Sequence, residues 1–252
     1  MRNIKIIVEY DGTNYSGWQV QYGKASSGQV RNTVQGQLEA VIGKILQENI
    51  KLAAASRTDA GVHAAGQAAN FKTANSTIKL NKLLRSINSM LPEDIAVSAI
   101  SIARDNFSAR YDAESKVYRY LILNQKSRII KDRDYYWHLP YKIDWNRAKR
   151  TAKKLRGVHD FSGFSSSGSP RENTRCRIKN IRIKKEGRVY SITMEANFFL
   201  YRMARNIAGV LVDVGRGKLE ENCVNKMLRT GRHSVECRTA PAKGLCLMRV
   251  KY

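Results

Sequence analysis

The chain has 252 residues, 45 of them lysine or arginine against 21 aspartates and glutamates, for a formal net charge of +24. That length suits one large domain or two smaller ones with a substantial core, and cations spread along the whole chain point to a polyanion, nucleic acid first. The longest later apolar run, Ile207 to Val212, is too short to cross a bilayer, Glu9 and Asp11 interrupt any signal-peptide core, and four cysteines without a C-x-x-C pair speak against zinc and for a reducing, cytoplasmic compartment.

In chain order, Ile4, Ile6, Val8 and Tyr10 alternate onto one face of a strand that Asp11-Gly12 ends. Thr33 caps a helix with Val34, Leu38, Val41, Ile42, Ile45 and Leu46 as its apolar stripe. Two short strands follow, 51 to 56 and 66 to 73. A second helix runs from 77 to 91 on Leu80, Leu83, Leu84, Ile87 and Leu91, stopped by Pro92, and 95 to 103 is the next strand. This spells β-α-β-β-α-β, the ferredoxin-like order. The later residues repeat it: strand 115 to 124, helix 144 to 156 capped by Asp144, a hairpin turning at Glu186-Gly187, helix 199 to 214, and strand 245 to 251, with a short helix at 219 to 229 added. The expected fold is α+β, with two such halves, 1–105 and 106–252, sharing a mixed, mainly antiparallel sheet. Two small polar segments, QYGKASSGQ (21 to 29) and SSSGSPREN (165 to 173), are expected to be mobile loops.

Between the two short strands lies ASRTDAGVHAAGQ, Ala55 to Gln67, a polar cluster set in alanine and glycine. One reading is a plain turn in which Gly61 supplies a positive φ. The other is chemical: small neighbours let a bulky substrate reach Asp59, and an ionised carboxylate serves as nucleophile or base without thiol or metal. A cation near Asp59 would keep it charged in a closed site. Arg57 is its neighbour in sequence, although residues two apart in a loop need not point together.

This stretch resembles the signature of the TruA family of tRNA pseudouridine synthases. DGTNYSGWQVQ, TVQGQLE, LPEDIAV, FSARYDAESKVYRYLI, HDFSGF, NFFLYRMARNIAGVLVDVGRGK and TAPAKGLCL are similar to family segments in the same order, nearly end to end. The resemblance implies a cofactor-free isomerase that flips a uridine out of tRNA and converts it to pseudouridine, at positions 38, 39 and 40 of the anticodon stem-loop, working as a homodimer. It makes Asp59 the nucleophile, whether it attacks ribose or base or promotes elimination. Tyr118 matches the tyrosine that packs on the target base, and Arg205 the arginine that pairs with the aspartate. Arg57, His63 and Arg110 are candidate RNA contacts. From periodicity alone Tyr118 is equally a core aromatic, and Arg205 a solvent-facing residue of its helix. The chain departs from the family pattern at Val20, where arginine is common, at Tyr201-Arg202, where two histidines are common, in a longer 21 to 31 segment, and between Gly231 and Arg238. The rival expectations are the same chemistry at other RNA sites and a catalytically silent RNA-binding protein.

Overall fold

The computed structural model describes residues 1–20, 32–166, 173–232 and 238–252. The 21 to 29 loop lies outside the described residues, as do most of the 165 to 173 loop and of the atypical 231 to 238 connection. The elements in the first part of the chain are β1 (Arg2–Tyr10), α1 (Val34–Leu46), β2 (Ala53–Ala54), β3 (His63–Thr73), α2 (Leu80–Met90) and β4 (Ile95–Ala103). There follow β5 (Ser115–Asn124), β6 (Trp137–Leu139), α3 (Trp145–Lys153), β7 (Gly157–Asp160), β8 (Arg175–Glu186), β9 (Val189–Ala196), α4 (Met203–Gly215), α5 (Cys223–Thr230) and β10 (Leu245–Lys251). The contacts divide into two compact units, residues 1–114 with 247–252, and residues 115–246.

In the first unit the strands run in the order β4, β1, β3 and the greater part of β10. β1 pairs antiparallel with both β3 and β4. The alternation of β1 puts Ile4, Ile6, Val8 and Tyr10 into a core that also holds Leu38 and Ile42 of α1 and Leu83 and Ile87 of α2, all buried. Thr33 caps α1 as expected, its hydroxyl accepting from the Gly36 amide at 3.2 Å, a bond that stabilises the helix by about 1 kcal/mol. The two expected inner strands are redistributed: β2 shrinks to two residues, while β3 begins three residues early, at His63. Gly66 within it lets β10 approach closely, since a Cβ there would stand 2.5 Å from the Met248 carbonyl oxygen of β10.

On the other side of β1, Asn3 and Asn70 are buried and bonded to each other, the Asn70 amide donating to Asn3 Oδ1 at 2.9 Å. Asn3 Nδ2 also donates to the carbonyls of Arg104 and Phe107, at 2.9 Å each, and Asn70 Oδ1 accepts from the Ala109 amide at 2.8 Å. Two buried side-chain amides thus satisfy the backbone of the segment leading to Arg110, which would otherwise leave polar groups unpaired.

In the second unit β5, β9, β8 and β7 follow one another, each pair antiparallel, and β6 adds to β5 in parallel. The β8–β9 hairpin turns at Glu186-Gly187, with Gly187 at φ 60. Asp144 caps α3 by accepting from the amides of Asn146 and Arg147 at 2.9 and 3.1 Å. Tyr120, Ile122, Ile192, Met194, Ile207 and Leu211 are buried together with Phe161 and Phe164. α4 begins at Met203 rather than at the expected Phe199, because Arg202 takes φ 58 and cannot continue a right-handed turn. β6 and β7 are not expected from the sequence: at three and four residues they are too short for a periodic signal.

Candidate active site

In the first unit the polar cluster forms a loop from Ala55 to Val62 between β2 and β3. Its base is closed by Gln67, fully buried, whose amide nitrogen donates to the Ser56 carbonyl at 2.6 Å while its oxygen accepts from the Ser56 amide at 3.2 Å. The Val62 amide donates back to the Asp59 carbonyl at 3.2 Å, so residues 59–62 make a turn, and Gly61 at φ 76 supplies the positive φ that such a turn needs. Asp59 sits half-buried at the start of this turn, between the buried Thr58 and the exposed Ala60, with exposed Arg57 two residues before it.

The loop is fixed from outside by the segment after β1. The Tyr10 and Thr58 hydroxyls share a buried hydrogen bond of 2.7 Å, and the Trp18 amide donates to the Thr58 carbonyl at 3.1 Å. Gly17, at φ 94, would place a Cβ 2.6 Å from the Thr58 oxygen and 3.1 Å from the Asp59 carbonyl carbon. Gly12 would place one 2.0 Å from the Val62 oxygen. Both glycines therefore admit backbone-to-backbone approach on the residues flanking Asp59. His63 is buried, and its Nδ1 accepts from the Gly12 amide at 3.1 Å while lying 3.1 Å from Asp11 Oδ1. The phenol of Tyr15 in the same segment donates to Asp94; burial first, then this bond and the Asp94 charge, push its pKa well above the ordinary tyrosine value.

In the second unit Tyr118 lies on β5 opposite Met194 of β9, buried, with the Phe199 ring edge-on to it at 4.9 Å. Tyr120, on the same face, donates to the Pro241 carbonyl at 2.7 Å. Burial drives the Tyr120 pKa far upward, against the pull of the Arg205 and Arg238 charges, so this phenol is a fixed hydrogen-bond donor. Within α4, Arg205 is the single residue that is not buried. Its Nε donates to the Ala240 carbonyl at 2.8 Å, and the Ala240 amide donates to the Arg205 carbonyl at 3.3 Å. Thr239 donates to Asn206 Oδ1 at 2.7 Å, and a Cβ on Gly209 would meet the Arg238 oxygen at 2.0 Å. The helix is docked on residues 238–240 through three successive contacts, which set the direction of the Arg205 guanidinium.

The structure thus places Arg57 and Asp59 on one loop of the first unit, with His63 at the start of β3 directly after it, and holds Tyr118 and Arg205 on β5 and α4 of the second. Arg110 follows the segment anchored by Asn3 and Asn70, exposed, its guanidinium 5.2 Å above the exposed ring of Tyr111. Gly12, Gly17, Tyr10 and Thr58 are structural determinants of the Asp59 loop that sequence reasoning did not assign to it, naming Gly12 as a strand terminator and Tyr10 as a residue of the β1 face. The signal for the two glycines was their closeness in DGTNYSGW, which acquires meaning only once the loop it touches is known. Among the described residues no three of His, Cys, Asp and Glu cluster as a metal site, and no helix is long and apolar enough to cross a membrane.

An α+β scaffold that presents a carboxylate on a glycine-clasped loop, in a chain this basic, defines a class of proteins suited to acting on nucleic acid. A tRNA pseudouridine synthase family model matches residues 6–112 and 151–252. Relatives at full length include tRNA pseudouridine synthase A of Thermoanaerobacter sp. (strain X514), 43% identical over 252 residues with 100% of both chains covered, and that of Acetivibrio thermocellus, 40% identical over 254 residues with 100% of both chains covered. A chain of a crystallised Cbf5-Nop10-Gar1 complex aligns at a TM-score of 0.32 and 13% identity, covering 82% of this chain and 54% of that one, a likeness too slight to bear on the site. The chain belongs to the tRNA pseudouridine synthase family.

Proposed function

We propose that this protein isomerises uridine to pseudouridine in tRNA, at positions 38, 39 and 40 of the anticodon stem-loop, with Asp59 as the nucleophile. The reaction breaks the bond from N1 to ribose C1′, turns the base, joins C5 to C1′, releases the C5 proton and leaves a proton on N1. Atoms and electrons balance without oxidant or reductant, so a carboxylate and positioned polar groups suffice for it. The observation that carries the reading is the setting of Asp59: half-exposed, flanked by Ala60 and Gly61, on a loop locked through Thr58 and Val62. A nucleotide flipped from its stack, at a cost of about a few kcal/mol, can approach such a carboxylate closely.

In this reading the N-terminal half carries the nucleophile and the C-terminal half completes the site. Tyr118 packs on the target base, and Arg205 pairs with Asp59 and keeps it ionised, since an opposite charge favours the carboxylate form. Arg57, beside the nucleophile, and Arg110, exposed with Tyr111, contact RNA; His63 contributes by fixing the loop or by meeting RNA at its edge. The net charge of +24 supports tRNA as the partner. On the family resemblance of its sequence, the protein in this reading acts in the cytoplasm as a homodimer and without cofactor.

The experiment is pseudouridine mapping on unmodified tRNA transcripts with wild type and Asp59→Ala. Product at 38 to 40 from wild type alone, with tRNA binding kept by the variant, is expected. Product from both removes Asp59 as nucleophile, product elsewhere changes the target, and none from either leaves a silent RNA-binding protein.

A further inference from the structure

Among the described residues three non-glycine residues have a positive φ: Gln47, Asp132 and Arg202. Gln47 closes α1, where left-handed geometry is common, and Asp132 lies in a turn, a residue type that tolerates it. Arg202 has neither excuse. It sits at φ 58, ψ 7 immediately before α4, in a conformation that glycine would adopt with less strain.

The backbone there is held on both sides. The Ser166 amide donates to the Tyr201 carbonyl at 3.1 Å, and the Asn206 amide donates to the Arg202 carbonyl at 2.9 Å. Arg202 and Tyr201 are both exposed, and the guanidinium lies over the Tyr201 ring at 4.8 Å. They stand three and four residues ahead of Arg205, on the same stretch of chain. A solvent-exposed contact of this kind returns little stability, so folding alone gives no reason to keep an arginine where glycine fits better. Strained residues cluster where ligands are held, and this one carries an exposed cation beside an aromatic ring.

We propose that Tyr201 and Arg202 form an RNA contact, Arg202 meeting a backbone phosphate and Tyr201 offering its ring to an unstacked base. A guanidinium fork matches phosphate oxygens, and an aromatic ring stacks on a base of any identity. The contact rests on the reading of the protein as an enzyme acting on tRNA.

The test measures binding of an unmodified tRNA transcript to the full chain across a salt series, for wild type, Arg202→Gly and Arg202→Lys, alongside thermal melting. R202G is expected to bind about fivefold more weakly, with a salt slope shallower by about one phosphate contact, and to melt at the wild-type temperature or about 2 °C above it. R202K is expected to keep the wild-type slope. Wild-type affinity and slope in R202G, or a joint loss of affinity and stability, overturns the proposal. Because the readout is binding, a wild type that binds tRNA but forms no pseudouridine counts against the activity and not against this contact.

Discussion

The hydroxyls of Tyr10 and Thr58 meet at 2.7 Å in the protein interior, one residue before Asp59. Tyr10 ends β1, a strand fixed by pairing on both sides, so this bond ties the loop to a strand held at both edges. Tyr10→Phe leaves the Thr58 hydroxyl buried without its partner, at a cost of about 1–3 kcal/mol. Single-turnover rates are expected to fall about tenfold or more while tRNA affinity holds, because a small displacement of a reacting group is expensive. A rate unchanged in Tyr10→Phe would show that the bond does not position Asp59.

Gly17 excludes a side chain on two counts, its positive φ and its close approach to the Asp59 loop. Alanine there adds left-handed strain to a 2.6 Å clash with the Thr58 oxygen, and about 2–4 kcal/mol of stability should be lost. Urea denaturation of Gly17→Ala and of Gly187→Ala separates the two causes, since Gly187 has a positive φ but nothing within 4 Å of its Cβ position. Equal losses in both would mean that strain alone matters at Gly17.

Arg205 tests orientation against charge. Arg205→Lys keeps the positive charge and loses the Nε donor to Ala240. We expect the turnover rate to drop by about tenfold or more, with tRNA binding nearly unchanged. Rapid-quench kinetics on the variant would contradict this if the chemical step ran at the wild-type rate.

Acid stability has an identifiable contributor in Glu48. Burial raises its pKa, but bonds from the Thr73 hydroxyl and the Ala74 and Asn75 amides outweigh that and hold it below the ordinary glutamate value. The native state therefore binds this proton more weakly than the unfolded chain does. Its stabilisation is complete above the unfolded value, about pH 4.3, and is lost as pH falls through the lowered native one. The melting difference between wild type and Glu48→Gln should accordingly be largest at neutral pH and close below about pH 4; a difference that stays constant down to pH 3 would exclude the carboxylate as its source.

Local rules located much of this fold. Alternation in β1 and β5, the caps Thr33 and Asp144, and Gly187 in its hairpin all act over a few residues, and each appears where its chemistry predicts. The start of α4 was misread because Phe199 and Leu200 continue its apolar pattern, and nothing in Tyr201-Arg202 announces a left-handed residue. Glycine or asparagine at that place would have done so. The Asp59 turn was legible through Gly61, but the clasp around it was not: Gly12 and Gly17 act on residues some 40 to 50 positions away, and no periodicity encodes a contact at that separation. The same holds for Asn3 and Asn70, whose burial looks unfavourable until the 104–109 backbone they satisfy is in view.

The central claim is that Asp59 initiates the isomerisation, and the release of tritium from uridine C5 tests it most directly, since that proton must leave in forming the new carbon–carbon bond. With excess enzyme and tRNA tritiated at uridine C5, wild type should release the label from the modified positions, while Asp59→Asn, similar in size but without the charge, should release none and still bind tRNA. Release by Asp59→Asn at the wild-type rate would contradict the assignment.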